Sequence, residues 1–250
     1  MNTHKSSEFA DDLFEYDFND AGAAMVERLN APPKLEPFWT VQDYAKLDFL
    51  IWELEPELPP LGRRMKHGRL QTQFRKEYGY VLASREVMDT MADLLRNAGP
   101  MLEVGSGSGY LSKELARLGL STFAVDYVDY TLPNNGYPID AVYQRDAQGD
   151  AVPFVAKGFG AVLMTWPPYD RPFALRVAKA MLPGQLLIYG GENAGGCTAN
   201  QAFFDYLADT DRWERLFDHS DQLDAVHVTF CGDKDHWLMF RRRDFEDDRP

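Results

Sequence analysis

The sequence predicts an α/β fold built on a doubly wound, mostly parallel sheet, and four observations carry that expectation. Met101–Val104 is a short apolar run that feeds a loop with glycine at Gly105, Gly107 and Gly109. Leu111, Leu115 and Leu118 follow at spacings of four and three, which is the repeat of one helix face. Thr122–Asp126 is a second apolar run, ending in an acid 21 positions after Gly105. A nucleotide-binding βαβ unit places its ribose carboxylate at about that interval, roughly 20 residues. Finally, Gly160–Thr165 is apolar throughout, as a strand covered on both faces of a parallel sheet requires.

Composition bounds the possibilities. With 250 residues, 45% of them hydrophobic, the chain can bury one good core and an elaboration beside it. Lys+Arg of 26 against Asp+Glu of 39 gives a net charge of −13, which repels phosphate backbones and disfavours broad nucleic-acid binding. Two cysteines, Cys197 and Cys231, with no Cys-x-x-Cys, point to a reducing compartment and to no metal site. The N-terminus has no apolar core for a signal peptide, and no run is long enough to span a bilayer. A soluble, cytoplasmic protein with no membrane partner is expected; nothing indicates an oligomeric state.

In chain order, residues 1–77 read as a helical N-terminal extension. Six acids between Glu8 and Asp20 alternate with aromatics. Asp20–Leu29 reads as a helix closed by Asn30-Ala31-Pro32-Pro33. Thr40, with Asp43 three residues on, forms a partial capping box for a second helix. Leu58–Gly62 reads as a rigid linker. Residues 63–76 then hold Arg63, Arg64, Lys66, Arg69, Arg75 and Lys76 with no acid among them, either a solvated face or an anion site for substrate.

Residues 78–242 read as the ligand-binding domain and 243–250 as an acidic tail. Ser84 is placed to cap a helix running to about Asn97. Ile139–Tyr143 reads as the third strand, preceded by a turn-rich loop in place of a full crossover helix. Gln185–Tyr189 reads as the fifth strand, and Thr198 with Gln201 as a capping box for the next helix. Ala225–Phe230 and His236–Arg241 read as a closing hairpin, which places His227 inside a strand.

The glycine pattern is Gly-x-Gly-x-Gly, with Glu103 two residues before it. Glu-x-Gly-x-Gly-x-Gly resembles the first motif of class I, Rossmann-like S-adenosylmethionine (SAM) dependent methyltransferases. That resemblance implies a seven-stranded sheet with an antiparallel last strand. It also implies a SAM site at Glu103, Gly105, Ser106, Gly107, Gly109 and Tyr110, with no metal and with S-adenosylhomocysteine as product. Asp126 and Tyr127 would lie at the ribose, Asp146 and Ala147 near the adenine, and Thr165 at the end of the fourth strand. Asp146 reads equally well as a helix N-cap.

Trp166-Pro167-Pro168-Tyr169 resembles the Asn/Asp/Ser-Pro-Pro-Tyr/Phe loop of the amino-methylating branch, with a departure at its first position. There the first side chain and a proline carbonyl accept from the target nitrogen. A tryptophan donates through its ring nitrogen and accepts nothing. The candidate catalytic residues are Trp166, Pro167, Tyr169 and Glu192, with Glu192 and Asp170 as the candidate bases at the rim. The leading expectation is methyl transfer to a nitrogen or oxygen of a small molecule or a protein side chain. A catalytically silent SAM-binding module and a nucleic-acid amino-methyltransferase are the alternatives.

Overall fold

The computed structural model describes residues 37–45, 60–128, 142–230 and 232–245, with the side chains of 60–67 and 69 outside the description. The chain divides into compact units at Leu35/Glu36, and all described residues belong to the second. The expected helix at Asp20–Leu29 and the acidic aromatic segment before it lie outside them. So does most of the loop after the second strand.

Helices α1 (Pro60–Glu77) and α2 (Arg85–Leu95) precede the first strand. Pro60–Gly62 belongs to α1, so the expected linker is in part a helix start, a position where proline's missing N–H costs nothing. The capping box at residues 40–43 is closed in both directions. Asp43 N–H donates to Thr40 Oγ1 at 3.1 Å, and Thr40 N–H and Oγ1 donate to Asp43 Oδ2 at 3.3 and 2.6 Å. Ser84 caps α2 through the Val87 N–H at 3.1 Å and donates its own hydroxyl to the Val226 carbonyl at 2.8 Å.

The remaining elements are β1 (Met101–Val104), α3 (Tyr110–Arg117), β2 (Thr122–Asp126), β3 (Ala147–Gln148), α4 (Val152–Val155), β4 (Ala161–Thr165) and α5 (Phe173–Ala180), then β5 (Leu186–Glu192), α6 (Gln201–Leu207), β6 (Trp213–Arg215), α7 (Phe217–Asp224) and β7 (Asp235–Arg242). The seven strands form one sheet in the order β3-β2-β1-β4-β5-β7-β6. β1 to β5 are parallel, and β7 runs antiparallel between β5 and β6. This is the sheet that the resemblance implies.

Two helix layers cover the sheet. α3, α2 and α7 pack in succession, as do α4, α5 and α6. Alternation along β1 explains the split. Leu102 and Val104 join the core with Val155, Val177 and Phe203, while Glu103 faces the other way and meets the first turn of α3. Val162, Leu163 and Met164 are fully buried, each contributing about 1.5–3 kcal/mol of burial.

The order of strands reverses between β1 and β4, which puts the ligand crevice at their carboxyl ends.

Three elements differ from expectation. The third strand is Ala147–Gln148, paired with Val125 and Asp126, and Val142 and Tyr143 are irregular. The sixth strand is Trp213–Arg215; Ala225–Phe230 is not a strand, because the turn that closes α7 takes Ala225 and Val226 and residues 227–230 run on irregularly. His227 therefore sits in a connection, where its Nδ1 accepts the Trp237 indole N–H at 3.0 Å. The cap of α6 is Asn200, whose side chain accepts from Phe203 N–H at 3.1 Å. Thr198 is instead buried against the Tyr189 hydroxyl and the Glu192 carbonyl.

Candidate functional site

A cavity of about 660 Å³ opens beyond the carboxyl ends of β1, β2 and β4. One part of its wall is the loop Glu103–Gly107 with Tyr110, and another is Asp126–Val128 at the end of β2. Gly149–Ala151 follows β3. The loop Thr165–Phe173 and the segment Tyr78–Val81 close the far side, with Arg176 and Cys197. A volume of this size suits a small organic ligand.

The glycine loop is held from both sides. Gly107, in the left-handed region at φ 58°, donates its N–H to Asp126 Oδ2 at 2.7 Å. Asp126 Oδ1 accepts the Val128 N–H at 2.8 Å, so a buried carboxylate ties the loop after β1 to the loop after β2. Across the loop, the Ser108 hydroxyl donates to the Tyr78 carbonyl and the Tyr110 hydroxyl to the Val81 carbonyl, both buried. These bonds set Tyr78–Val81 as a wall of the cavity.

Gly109 does not line the cavity. Its φ is 73°, and a Cβ there would lie 1.9 Å from the Gln144 carbonyl oxygen. The glycine is needed because the 142–144 strand of chain crosses directly over it, with Tyr143 N–H bonded to the Ser108 carbonyl at 2.7 Å.

Glu103 is buried and accepts the Ser112 N–H at 3.1 Å. Burial pushes its carboxyl up to about 7, against the lowering effect of the Ser112 bonds, with Asp126 raising it further. A cationic group brought to that carboxyl would favour its ionised form. Ser106 adds an unmet group: its hydroxyl is buried in the wall without a hydrogen-bond partner. Carboxyl, hydroxyl and Asp126 together match the ammonium and hydroxyl groups of a nucleoside that carries an amino acid, so the residues present fit SAM.

Of the other residues singled out in the sequence, Ser106, Tyr127, Thr165, Trp166, Pro167 and Tyr169 line the cavity. Tyr127 and Tyr169 stand at its mouth, 74% and 60% exposed. Asp146, Ala147 and Glu192 do not line it. Asp146 Oδ2 accepts the Ala124 N–H and the Gln144 amide, both at 2.8 Å, which completes the pairing beside β2. Glu192 accepts the Cys197 N–H. The Pro167 carbonyl accepts the Ala199 N–H at 2.9 Å, leaving one lone pair.

Trp166 is turned away from any accepting role. Its indole N–H donates to Asp235 Oδ2 at 3.0 Å, and its ring stacks on Tyr80 with centroids 5.5 Å apart. Burial pushes the Asp235 carboxyl up to about 6, despite the Trp166 bond that lowers it.

The segment Tyr78–Val81, Asp150–Ala151, Arg171 and Phe173 also line the cavity and were not singled out from sequence; Cys197, read there only as a sign of a reducing compartment, lines it too. Two signals were there to find them. Tyr78-Gly79-Tyr80 directly precedes the Ser84 cap, and a third strand placed at Ala147–Gln148 would have made Gly149–Ala151 its carboxyl-end loop. Arg176 of α5 pairs with Asp150 across the rim.

Among the described residues no helix is long and apolar enough to cross a membrane. No family model matches the chain, and no curated protein matches it in sequence. Among the solved structures similar to it is the O-methyltransferase TomG from Streptomyces achromogenes in complex with SAM, at 16% identity over 66% of this chain and 82% of that one, with TM-score 0.42. TehB from Haemophilus influenzae is similar at 14% identity over 69% and 67%, with TM-score 0.41. The PH0226 protein from Pyrococcus horikoshii OT3 is similar at 13% over 63% and 88%, with TM-score 0.43. At such identities and scores these likenesses carry nothing about the reaction of this chain.

Proposed function

We propose that the protein is a SAM-dependent methyltransferase that transfers a methyl group to a nitrogen or oxygen of a small molecule or a protein side chain. One observation carries the reading. Glu103, the unpartnered Ser106 hydroxyl, Gly107 and Asp126 converge on one cavity at the point where the strand order reverses.

Asp126, at the end of β2, accepts from the ribose hydroxyls. Glu103 and Ser106 face the amino-acid end. SAM supplies the electrophilic methyl. Tyr80 and Trp166 stack as an aromatic acceptor wall, with Tyr169 at its mouth, and together they align a flat acceptor. No base is required where the acceptor is a neutral amine; for a hydroxyl, Asp170 on the lining loop is the carboxylate within the wall.

The experiment is calorimetric titration with S-adenosylhomocysteine. Binding in the micromolar range, on the order of −7 to −9 kcal/mol, is expected, and no heat at millimolar ligand would sink the reading.

A second reading is a silent SAM-binding module. It is favoured by the loop chemistry, since Trp166 cannot accept, the Pro167 carbonyl is engaged and Glu192 is bonded to Cys197. Methyl transfer to any acceptor in a screen of aromatic amines, phenols and peptides would exclude it. Nucleic acid is disfavoured as a substrate by the charge of −13.

A further inference from the structure

We propose that Asp235 is a positioning residue for the acceptor wall, holding the Trp166 indole N–H away from the ligand so that Trp166 presents only its ring. This rests on the reading of the cavity as a methyl-acceptor site, and its reach is substrate class: a flat acceptor bound by stacking.

Trp166 sits where a tryptophan is strained. Its φ is 45°, in the left-handed region that a bulky side chain adopts only at a cost. Such a conformation persists only where the surroundings over-determine it, and here three chain segments do so. The Trp166 N–H donates to the Gly190 carbonyl at 2.8 Å, continuing the β4–β5 ladder one residue past Thr165. Tyr80 covers the ring at an interplanar angle of 22°. The Arg75 guanidinium of α1 lies 5.3 Å from the Trp166 ring centroid and 5.0 Å from that of Tyr80.

Arg75 is itself fixed. It donates to both oxygens of Asp233, at 3.1 and 3.3 Å, and Gln71 donates to the same carboxylate at 2.9 and 3.0 Å. Asp233 and Asp235 lie on the approach to and first residue of β7, so one strand end anchors both the cation and the indole.

Asp235 does not line the cavity, so it acts through Trp166. It is 6% exposed, and its second oxygen, Oδ1, is buried with no hydrogen-bond partner. A buried carboxylate with one bond met is a poor stabiliser, and a hydrophobic residue of that size would serve packing better. What it supplies that an apolar residue cannot is an acceptor for the indole N–H. Without it, the donor at Trp166 would be free to turn toward the cavity and would add a polar group where the ring now stacks.

The test is hydrogen exchange of the Trp166 indole N–H by NMR, its signal assigned by its loss in Trp166→Phe. The remaining indole N–H groups serve as internal controls. In the wild type it should be protected. Asp235→Leu should speed its exchange by tenfold or more, and Asp235→Asn, whose amide oxygen accepts the same bond, should stay within threefold of wild type. Should Asp235→Leu fail to fold, Asp235→Ser, too short to reach the indole, takes its place with the same expectation. Unchanged exchange in the Leu or Ser variant, or exchange in the Asn variant as fast as in Ser, overturns the proposal. S-adenosylhomocysteine titrated into the same samples reports separately: absence of binding to the wild type removes the methyltransferase reading and leaves the exchange result standing.

Discussion

The carboxylate of Asp126 accepts the backbone N–H of Gly107 at 2.7 Å, across 19 residues of chain. The same side chain takes the Val128 N–H, so one buried acid organises the loops after β1 and β2 where they border the cavity. Asp126→Ala should therefore act twice. It leaves two backbone donors without their partner, for a loss of about 1–3 kcal/mol of folding stability by chemical denaturation. It also removes the contact to the ribose, weakening S-adenosylhomocysteine by about 1.5–3 kcal/mol, or roughly 10- to 100-fold. Wild-type affinity in that variant would mean the carboxylate serves the loops alone.

Glu103 gives a pH signature. Its folded-state carboxyl lies near 7 against an ordinary 4.5, because burial disfavours the charged form. The folded protein thus holds a proton that the unfolded chain releases. Stability contributed by this group falls as pH rises from about 4.5 to about 7 and is level above that. Glu103→Gln should remove that part of the slope in melting temperature against pH. A residual fall ending near pH 6 should remain from Asp235, which burial raises in the same sense.

Ligand binding should couple to the same proton. A cationic ammonium favours ionised Glu103, so S-adenosylhomocysteine should bind more weakly as pH falls below 7 in the wild type. Calorimetry in buffers of different ionisation enthalpy should register proton release there, and none in Glu103→Gln.

Gly109→Ala should be among the most damaging single changes in the glycine loop. The added Cβ meets the Gln144 carbonyl at 1.9 Å in a left-handed backbone, and neither partner is a flexible side-chain end. A loss of more than about 3 kcal/mol is expected from strain and overpacking together. A melting temperature within a few degrees of wild type would show that residues 142–144 can move aside.

Tyr169→Ala should separate the two halves of the cavity. Tyr169 is 60% exposed at the mouth, on the loop after β4 and not on the glycine loop. Affinity for S-adenosylhomocysteine should stay within about threefold, or about 0.7 kcal/mol, while turnover of an aromatic acceptor falls at least tenfold. Lost nucleoside affinity would instead place Tyr169 on the cofactor.

The glycine-loop side of the cavity was legible in the residues because it is local. An apolar strand, alternate glycines that take positive φ, an amphipathic helix and an acid at the end of the next strand each declare themselves within a few positions. The chain order also carried the α/β class and the central place of β4, whose unbroken apolar run has no polar face to show solvent. Helix starts at Thr40 and Ser84 were equally local, each cap being a hydroxyl three residues from the N–H it accepts.

What only the tertiary structure decided is the rest of the sheet and the acceptor wall. β3 is two residues long, and its place is set by Asp146 bonding the Ala124 N–H from 22 residues away, not by any apolar period of its own. β6 exists because Trp213–Arg215 finds β7, and the more strand-like Ala225–Phe230 is taken up by the approach to it. Arg75 and Asp233 stand 158 residues apart, Trp166 and Asp235 69 apart, and Glu192 turned out to be held by a neighbouring N–H. Hydrogen bonds and stacked rings between distant segments leave no period in a sequence. Their partners are chosen by which strand ends the fold brings together, and that choice exists only once the sheet has formed.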